Sequence, residues 1–288
     1  MKHLIISLRP RQWIKNLFLL AGILFSRHLF DPAFLEVVIS AFVVFCLLSG
    51  AVYLLNDVKD IENDKNHPRK SLRPIAADLL SKKAALVSFY VITALSLGVA
   101  FLLGMPFFLT AVGYFILQVA YTLFLKDMVI LDVFSIAAGF VLRVIAGAVV
   151  INVVISPWLV ICTTLLALFL GLSKRRHEIE TLLETAHTHR TVLQSYSTYL
   201  LDQMIGVVTA SAVVCYALYT MAPETVARFN TRNLLFTIPF VLYGIFRYLF
   251  LIHKKGEGGN PETVLTADLP LLIDIVLWAL TAGFIIYR

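Results

Sequence analysis

Charged side chains are scarce in this 288-residue chain. Lys, Arg, Asp and Glu together make up 15%, against roughly a quarter in soluble globular proteins. With apolar residues at 59%, that shortage excludes an ordinary soluble domain. Cysteine is sparse too. Cys46, Cys162 and Cys215 all lie within apolar runs and no Cys-x-x-Cys occurs, which argues against a thiolate metal site or a disulfide framework and leaves them as packing residues. The strict apolar–polar alternation of membrane barrel strands is missing. No cleavable leader is evident, because Leu4–Leu8 is too short and is succeeded at once by Arg9, Arg11 and Lys15. The first membrane helix is expected to serve as the address.

In place of charge the chain has a series of apolar runs near the spanning length of about 20 residues. They predict an all-α, polytopic membrane protein: a single integral domain over 1–288, with nine transmembrane helices around a central cavity. The first, Leu17–Phe25, is the shortest, with Arg27 and His28 snorkelling at its far end. The others are expected at 33–55, 84–103, 106–125, 129–150, 157–172, 204–222, 234–252 and 269–287. Gly104-Met-Pro106 and Ser156-Pro157 read as tight turns between neighbours.

The charged loops 56–83, 173–203 and 253–268 fall on one face, with the short Lys126–Met128 turn. Of the 24 Lys and Arg, 18 lie on that face or in the N-terminal segment, 4 (Arg27, Arg228, Arg232, Arg288) on the other, and 2 (Arg143, Arg247) within helices. The positive-inside bias then predicts a multi-pass protein of the cytoplasmic (inner) membrane, with N-terminus and active site cytoplasmic and C-terminus outside. The net charge of +6 results from that bias, so no nucleic-acid partner is needed to explain it. A helix ending in a long charged loop occurs at 56 and again at 173, a weak echo of two four-helix repeats plus a ninth helix.

The chemistry concentrates between Asn56 and Pro74, where an apolar run stops. Asp57, Asp60 and Asp64 stand at i, i+3 and i+7, so a continuing helix would project all three carboxylates from one face, with Tyr53 one turn earlier on the same stripe. Three acids at a membrane mouth call for a cation between them; a hard divalent ion that keeps coordination sites for phosphate oxygens fits. Lys65, His67, Arg69, Lys70 and Arg73 lie just downstream and suit a phosphate directly. A solvated, charge-balanced loop is the plain alternative.

A second cluster, Lys174, Arg175, Arg176 and His177, closes the predicted sixth helix and leads into Glu178, Glu180 and Glu184. Topology and the helix dipole account for such cations. An anion site across a cavity from the acids is the functional reading, with Glu178 and Glu180 orienting the guanidiniums or completing a metal site. Arg143 lies mid-membrane among small residues, where an Arg needs a cavity or a partner, and Asp132 on the same helix is a candidate partner or site group. Tyr121 and Lys126 end the fourth predicted helix at the charged face; Asp127 reads as a cap, His187 and His189 as solvated loop residues, and Asp274 receives no assignment.

The pattern Asn56-Asp57-x-x-Asp60-x-x-x-Asp64, with Arg73-Pro74 downstream and nine expected helices, resembles the UbiA superfamily of intramembrane prenyltransferases over nearly the whole chain. The resemblance implies Mg²⁺ and a pyrophosphate at Asn56, Asp57, Asp60 and Asp64. Where typical members carry a second Asp-rich motif, this chain has Ser173-Lys-Arg-Arg-His-Glu178. That departure is similar to the decaprenyl-phosphate phosphoribosyltransferase branch, as are Arg9-Pro-x-Gln-Trp-Ile-Lys-Asn16 and Gly259-Asn-Pro-Glu262. The branch implies transfer of 5-phosphoribose from phosphoribosyl pyrophosphate to a polyprenyl phosphate. Lys15, Tyr53, Lys65, Arg69, Arg73, Tyr121, Lys126, Arg143 and the Lys174–His177 cluster are then the expected substrate contacts, with Arg9, Arg11, Lys15, Lys126 and Arg143 the candidates for the lipid phosphate. An aromatic prenyltransferase of quinone synthesis is the alternative within the superfamily, and a lipid or anion transporter the alternative outside it.

Overall fold

The computed structural model describes residues 2–66, 70–184, 193, 195–255, 264 and 267–288. His67, Arg69, His187, His189 and the Gly259–Glu262 motif lie outside the described residues. Every regular element among the described residues is helical. The chain forms two compact units, Met1–Ile155 and Ser156–Arg288.

The first unit contains α1 (Lys2–Ser7), a 3₁₀ segment (Pro10–Leu20) running into α2 (Ala21–Phe25), α3 (Pro32–Lys59), α4 (Ile61–Lys65), α5 (Lys82–Leu102), α6 (Met105–Leu123) and α7 (Leu131–Val149). The second contains α8 (Pro157–Glu184), α9 (Thr198–Met221), α10 (Pro223–Phe229), α11 (Ile238–Lys255) and α12 (Leu269–Tyr287). Eight helices among the described residues are long and apolar enough to cross a membrane, four in each unit. This is a multi-pass membrane protein.

The N-terminal segment, expected to cross as a helix at Leu17–Phe25, is built differently: a 3₁₀ stretch precedes a five-residue α2. Leu8 lies against Gly50 of α3, Asn16 donates to Cys46 and Ser49, and His28 packs on Phe34. The segment therefore runs antiparallel along nearly the whole of α3. On its other side Phe18 meets Phe140 edge-on at 5.0 Å, and Leu19 lies on Gly147 of α7. The 11 residues of 3₁₀ helix, which rises about 2 Å per residue, lead directly into the five of α2.

α3 is the central helix of its unit. Its spanning window is 61% buried, as is that of α7, against 22% for α5 and α6. Asp31 caps its start by accepting from the Ala33 amide at 3.1 Å, and Pro32 occupies the first turn, where a missing N–H costs nothing. At 28 residues α3 is about 42 Å long, well beyond the hydrocarbon layer. Its last two turns, which carry Asn56 and Asp57, therefore emerge from the apolar layer. α8 also has 28 residues and likewise carries its polar end, Lys174–Glu184, on the same continuous helix. This corrects the expected boundary at 172: Lys174–His177 do not cap a helix end but lie two to three turns inside it.

Candidate functional site

The acids of the first unit do not share one uninterrupted helix. α3 ends at Lys59, and the chain turns at Asp60 before α4 restarts at Ile61. Two neighbours fix this break. Lys59 donates its ammonium to the terminal carbonyls of α6, Thr122 at 2.9 Å and Leu123 at 2.5 Å, satisfying acceptors that a helix end leaves open. Asp60 receives Lys126 on both carboxylate oxygens, at 2.7 and 2.9 Å. Ile61 is buried in a cluster with Leu8, Ala51, Leu54, Ile75, Ala85 and Phe89, which anchors α4 and turns Asp64 back toward Asp57.

The result is a pair of acids with a third to one side. Asp57 is 1% exposed and Asp64 4%. Arg73 bridges them, with Nη1 3.2 Å from Asp57 Oδ1 and 2.5 Å from Asp64 Oδ2. Arg9 also donates to Asp57 Oδ1 and lies over the Tyr53 ring at 4.6 Å. Its backbone occupies the left-handed region, φ 53°, as the chain enters the 3₁₀ segment. Asp60, turned to Lys126, does not join the pair. Among the described residues no three His, Cys, Asp or Glu side chains gather closely enough to hold one ion.

Asp57 Oδ2 is buried and makes no hydrogen bond. A carboxylate oxygen deprived of water and donors is costly, and a divalent cation would relieve it. Two hard carboxylates suit Mg²⁺, which is commonly held by one or two protein acids with the remaining positions filled by water and substrate phosphate. The residues therefore fit the ion the motif implies.

The other expected contacts are more scattered. Asn56, Tyr53, Lys15 and Tyr121 are half-buried, and Lys65 pairs with Asp78 at 3.4 Å on the surface. Arg143 is buried and fully engaged by protein groups: Nε donates to Asn16 at 2.7 Å, Nη1 to the Gly139 carbonyl at 2.9 Å and Nη2 to the Tyr114 hydroxyl at 2.7 Å. Its partners are neutral and do not include Asp132, because the Asn16 side chain reaches it from the N-terminal crossing. Its guanidinium ties that crossing to α6 and α7. Asp132 is buried, Asp127 is exposed, and Asp274 is buried beside Gly244.

In the second unit the cations of α8 are matched to acids. Arg175, 1% exposed, donates to Glu178 at 2.5 Å. Arg176 pairs with Glu180 at 2.7 Å and Asp202 at 2.6 Å, and Asp202 also faces His253 at 3.2 Å. The carboxylates thus orient the guanidiniums, and Lys174 and His177 stand half-buried beside them. Lys59, Asp202 and His253 escape a reading from sequence. Lys59 lies among the motif's unassigned positions, and the other two are 26 and 77 residues beyond Arg176 with no spacing to link them.

Residues 16–265 match the model of the UbiA prenyltransferase family. The chain is 33% identical to the protein named decaprenyl-phosphate phosphoribosyltransferase of Mycolicibacterium smegmatis, over 99% of this chain and 92% of that one. It is 33% identical to the protein of the same name from Corynebacterium glutamicum, over 98% of this chain and 86% of the other. Among solved structures, a UbiA homologue from Archaeoglobus fulgidus bound to GPP and Mg²⁺ superposes with a TM-score of 0.76 at 19% identity, covering 99% of each chain. The same homologue bound to Cd²⁺ gives 0.72, covering 99% of this chain and 100% of the other. These likenesses establish the fold.

Proposed function

The chain belongs to the UbiA prenyltransferase family, and within it we propose a membrane phosphoribosyltransferase that moves 5-phosphoribose from phosphoribosyl pyrophosphate to a polyprenyl phosphate. A phosphate oxygen of the lipid attacks C1 of the ribose, the bond from C1 to the pyrophosphate oxygen breaks, and pyrophosphate departs with the electron pair. The product is polyprenyl-phosphoryl-5-phosphoribose. The attacking oxygen is already ionised, so no general base is required.

The observation that carries this choice is the cationic stretch of α8, Lys174–His177, standing where prenyl-diphosphate chemistry calls for a second set of acids. A donor with a pyrophosphate at one end and a separate 5-phosphate at the other needs unlike sites. Asp57 and Asp64, with Asn56 adjacent, would hold Mg²⁺, which when bound neutralises the leaving pyrophosphate. Arg9, Arg73 and Lys126 would contact its oxygens, and Lys174, Arg175, Arg176 and His177 the 5-phosphate. Arg11 and Lys15, on the N-terminal segment that also exposes apolar Ile14 and Leu17, are the candidates for the lipid phosphate. The Lys and Arg bias supports a cytoplasmic location for the charged segments that carry these residues.

Replacing Arg176 by Gln tests the assignment of α8. The expected result is a donor KM raised about tenfold or more, as for loss of a charge-assisted contact of roughly 1.5–3 kcal/mol, with the KM for the lipid unchanged. Equal effects on both substrates would reduce Arg176 to a structural partner of Asp202 and Glu180.

A further inference from the structure

We infer that Arg9 and Arg73 are stand-ins for the metal: they occupy its carboxylates until a pyrophosphate arrives to draw them off, so that the site selects a metal–pyrophosphate over either component alone. The inference deepens the reading of Asp57 and Asp64 as a metal site. It does not depend on which group carries the pyrophosphate.

The burial gradient carries it. Asp57 and Asp64 are almost wholly buried, while the Arg9 and Arg73 side chains are 23% and 25% exposed. The arginines thus reach solvent where the acids do not, and an ion that takes the shared carboxylate oxygens, Asp57 Oδ1 and Asp64 Oδ2, displaces the guanidiniums bound there. Charge decides what can do so. The two acids and two guanidiniums are already balanced. A divalent cation alone would add two uncompensated positive charges at a largely desolvated place and leave both guanidiniums without partners. Pyrophosphate alone would meet buried carboxylates. Arriving together, the metal takes the carboxylate oxygens, including the unpartnered Asp57 Oδ2, and the guanidiniums turn outward to the phosphate oxygens they match in geometry. Lys126 on Asp60 supplies a further cation beside the pair.

Linkage makes the exchange measurable. If pyrophosphate tightens the metal, the metal must tighten pyrophosphate by the same factor. The experiment monitors binding of Mn²⁺ to the purified full-length protein in detergent by electron paramagnetic resonance, with and without inorganic pyrophosphate. In the wild-type protein, pyrophosphate should tighten Mn²⁺ about tenfold or more. Arg73→Met should bind Mn²⁺ alone about tenfold more tightly than wild type and lose most of the gain from pyrophosphate. Arg9→Met should shift both values in the same directions, and Arg73→Lys, which keeps the charge, should stay near wild type. If both Met variants bind Mn²⁺ no more tightly than wild type, or if wild-type protein binds it equally well without pyrophosphate, the inference is wrong. Because no ribose or lipid is present, these results stand apart from the phosphoribosyl assay, which can fail while the exchange is observed.

Discussion

Asp57→Asn is expected to reduce turnover by roughly a hundredfold or more while the protein still folds and inserts. The substitution keeps the size of a side chain that is 1% exposed, so packing around the end of α3 is preserved. It removes the charge that balances Arg9 and Arg73 and halves the carboxylate pair available to a metal. The two guanidiniums lose a partner, but both retain access to solvent and Arg73 retains Asp64, so the folding penalty stays small beside the loss of activity. Chelation with EDTA should reproduce the loss in the wild-type protein, and added Mg²⁺ should reverse the chelation but not the mutation. Near-normal turnover of Asp57→Asn in Mg²⁺ would remove Asp57 from the metal site.

Gly147→Ala is expected to act through stability. A Cβ at Gly147 would lie 1.7 Å from the carbonyl oxygen of Leu19 and 2.7 Å from its carbon. These are backbone atoms and cannot rotate away, so α7 and the N-terminal crossing must separate. Overpacking of a tight core costs about 1–3 kcal/mol, and a backbone obstacle puts this site at the upper end. The displaced crossing carries Asn16, the partner of Arg143, and Arg9, the partner of Asp57. Activity should therefore fall together with the melting temperature in detergent. Gly113→Ala on α6 is the comparison, since a Cβ there meets nothing within 4 Å. It should be neutral or stabilising by about 0.5–1 kcal/mol, as expected for glycine in a helix interior. An unchanged melting temperature for Gly147→Ala would mean that the close approach of Leu19 to α7 is not a feature of the folded protein.

Much of the membrane architecture is legible in the sequence because apolar runs report directly on lipid and core. The eight long helices, the short turns at Gly104 and Ser156, and the charged segments between them all derive from that one signal. It fails where helix and membrane end at different places. α3 and α8 continue for turns after their apolar stretches stop, because polar residues leave the hydrocarbon layer without leaving the helix. The first crossing departs from expectation for the opposite reason: it carries Asn16, Lys15 and Gln12, which apolarity alone would place outside. For Asn16 the reason is a tertiary partner, Arg143, 127 positions beyond it. The acids of the site are visible as a motif, but their arrangement is not. The break at Asp60 depends on Lys59 reaching the end of α6 and on Lys126 reaching Asp60, and neither contact leaves a periodic trace.

The central claim is that the pyrophosphate enters on a ribose and the lipid brings only a monophosphate. It is tested most directly by mass spectrometry of the lipid extract after purified protein is incubated with Mg²⁺, phosphoribosyl pyrophosphate and a polyprenyl phosphate. The account predicts a polyprenyl phosphate heavier by one phosphorylated pentose, released pyrophosphate only when both substrates are present, and no product from a polyprenyl diphosphate with 4-hydroxybenzoate. A prenylated aromatic product, with the polyprenyl monophosphate left unchanged, would contradict it.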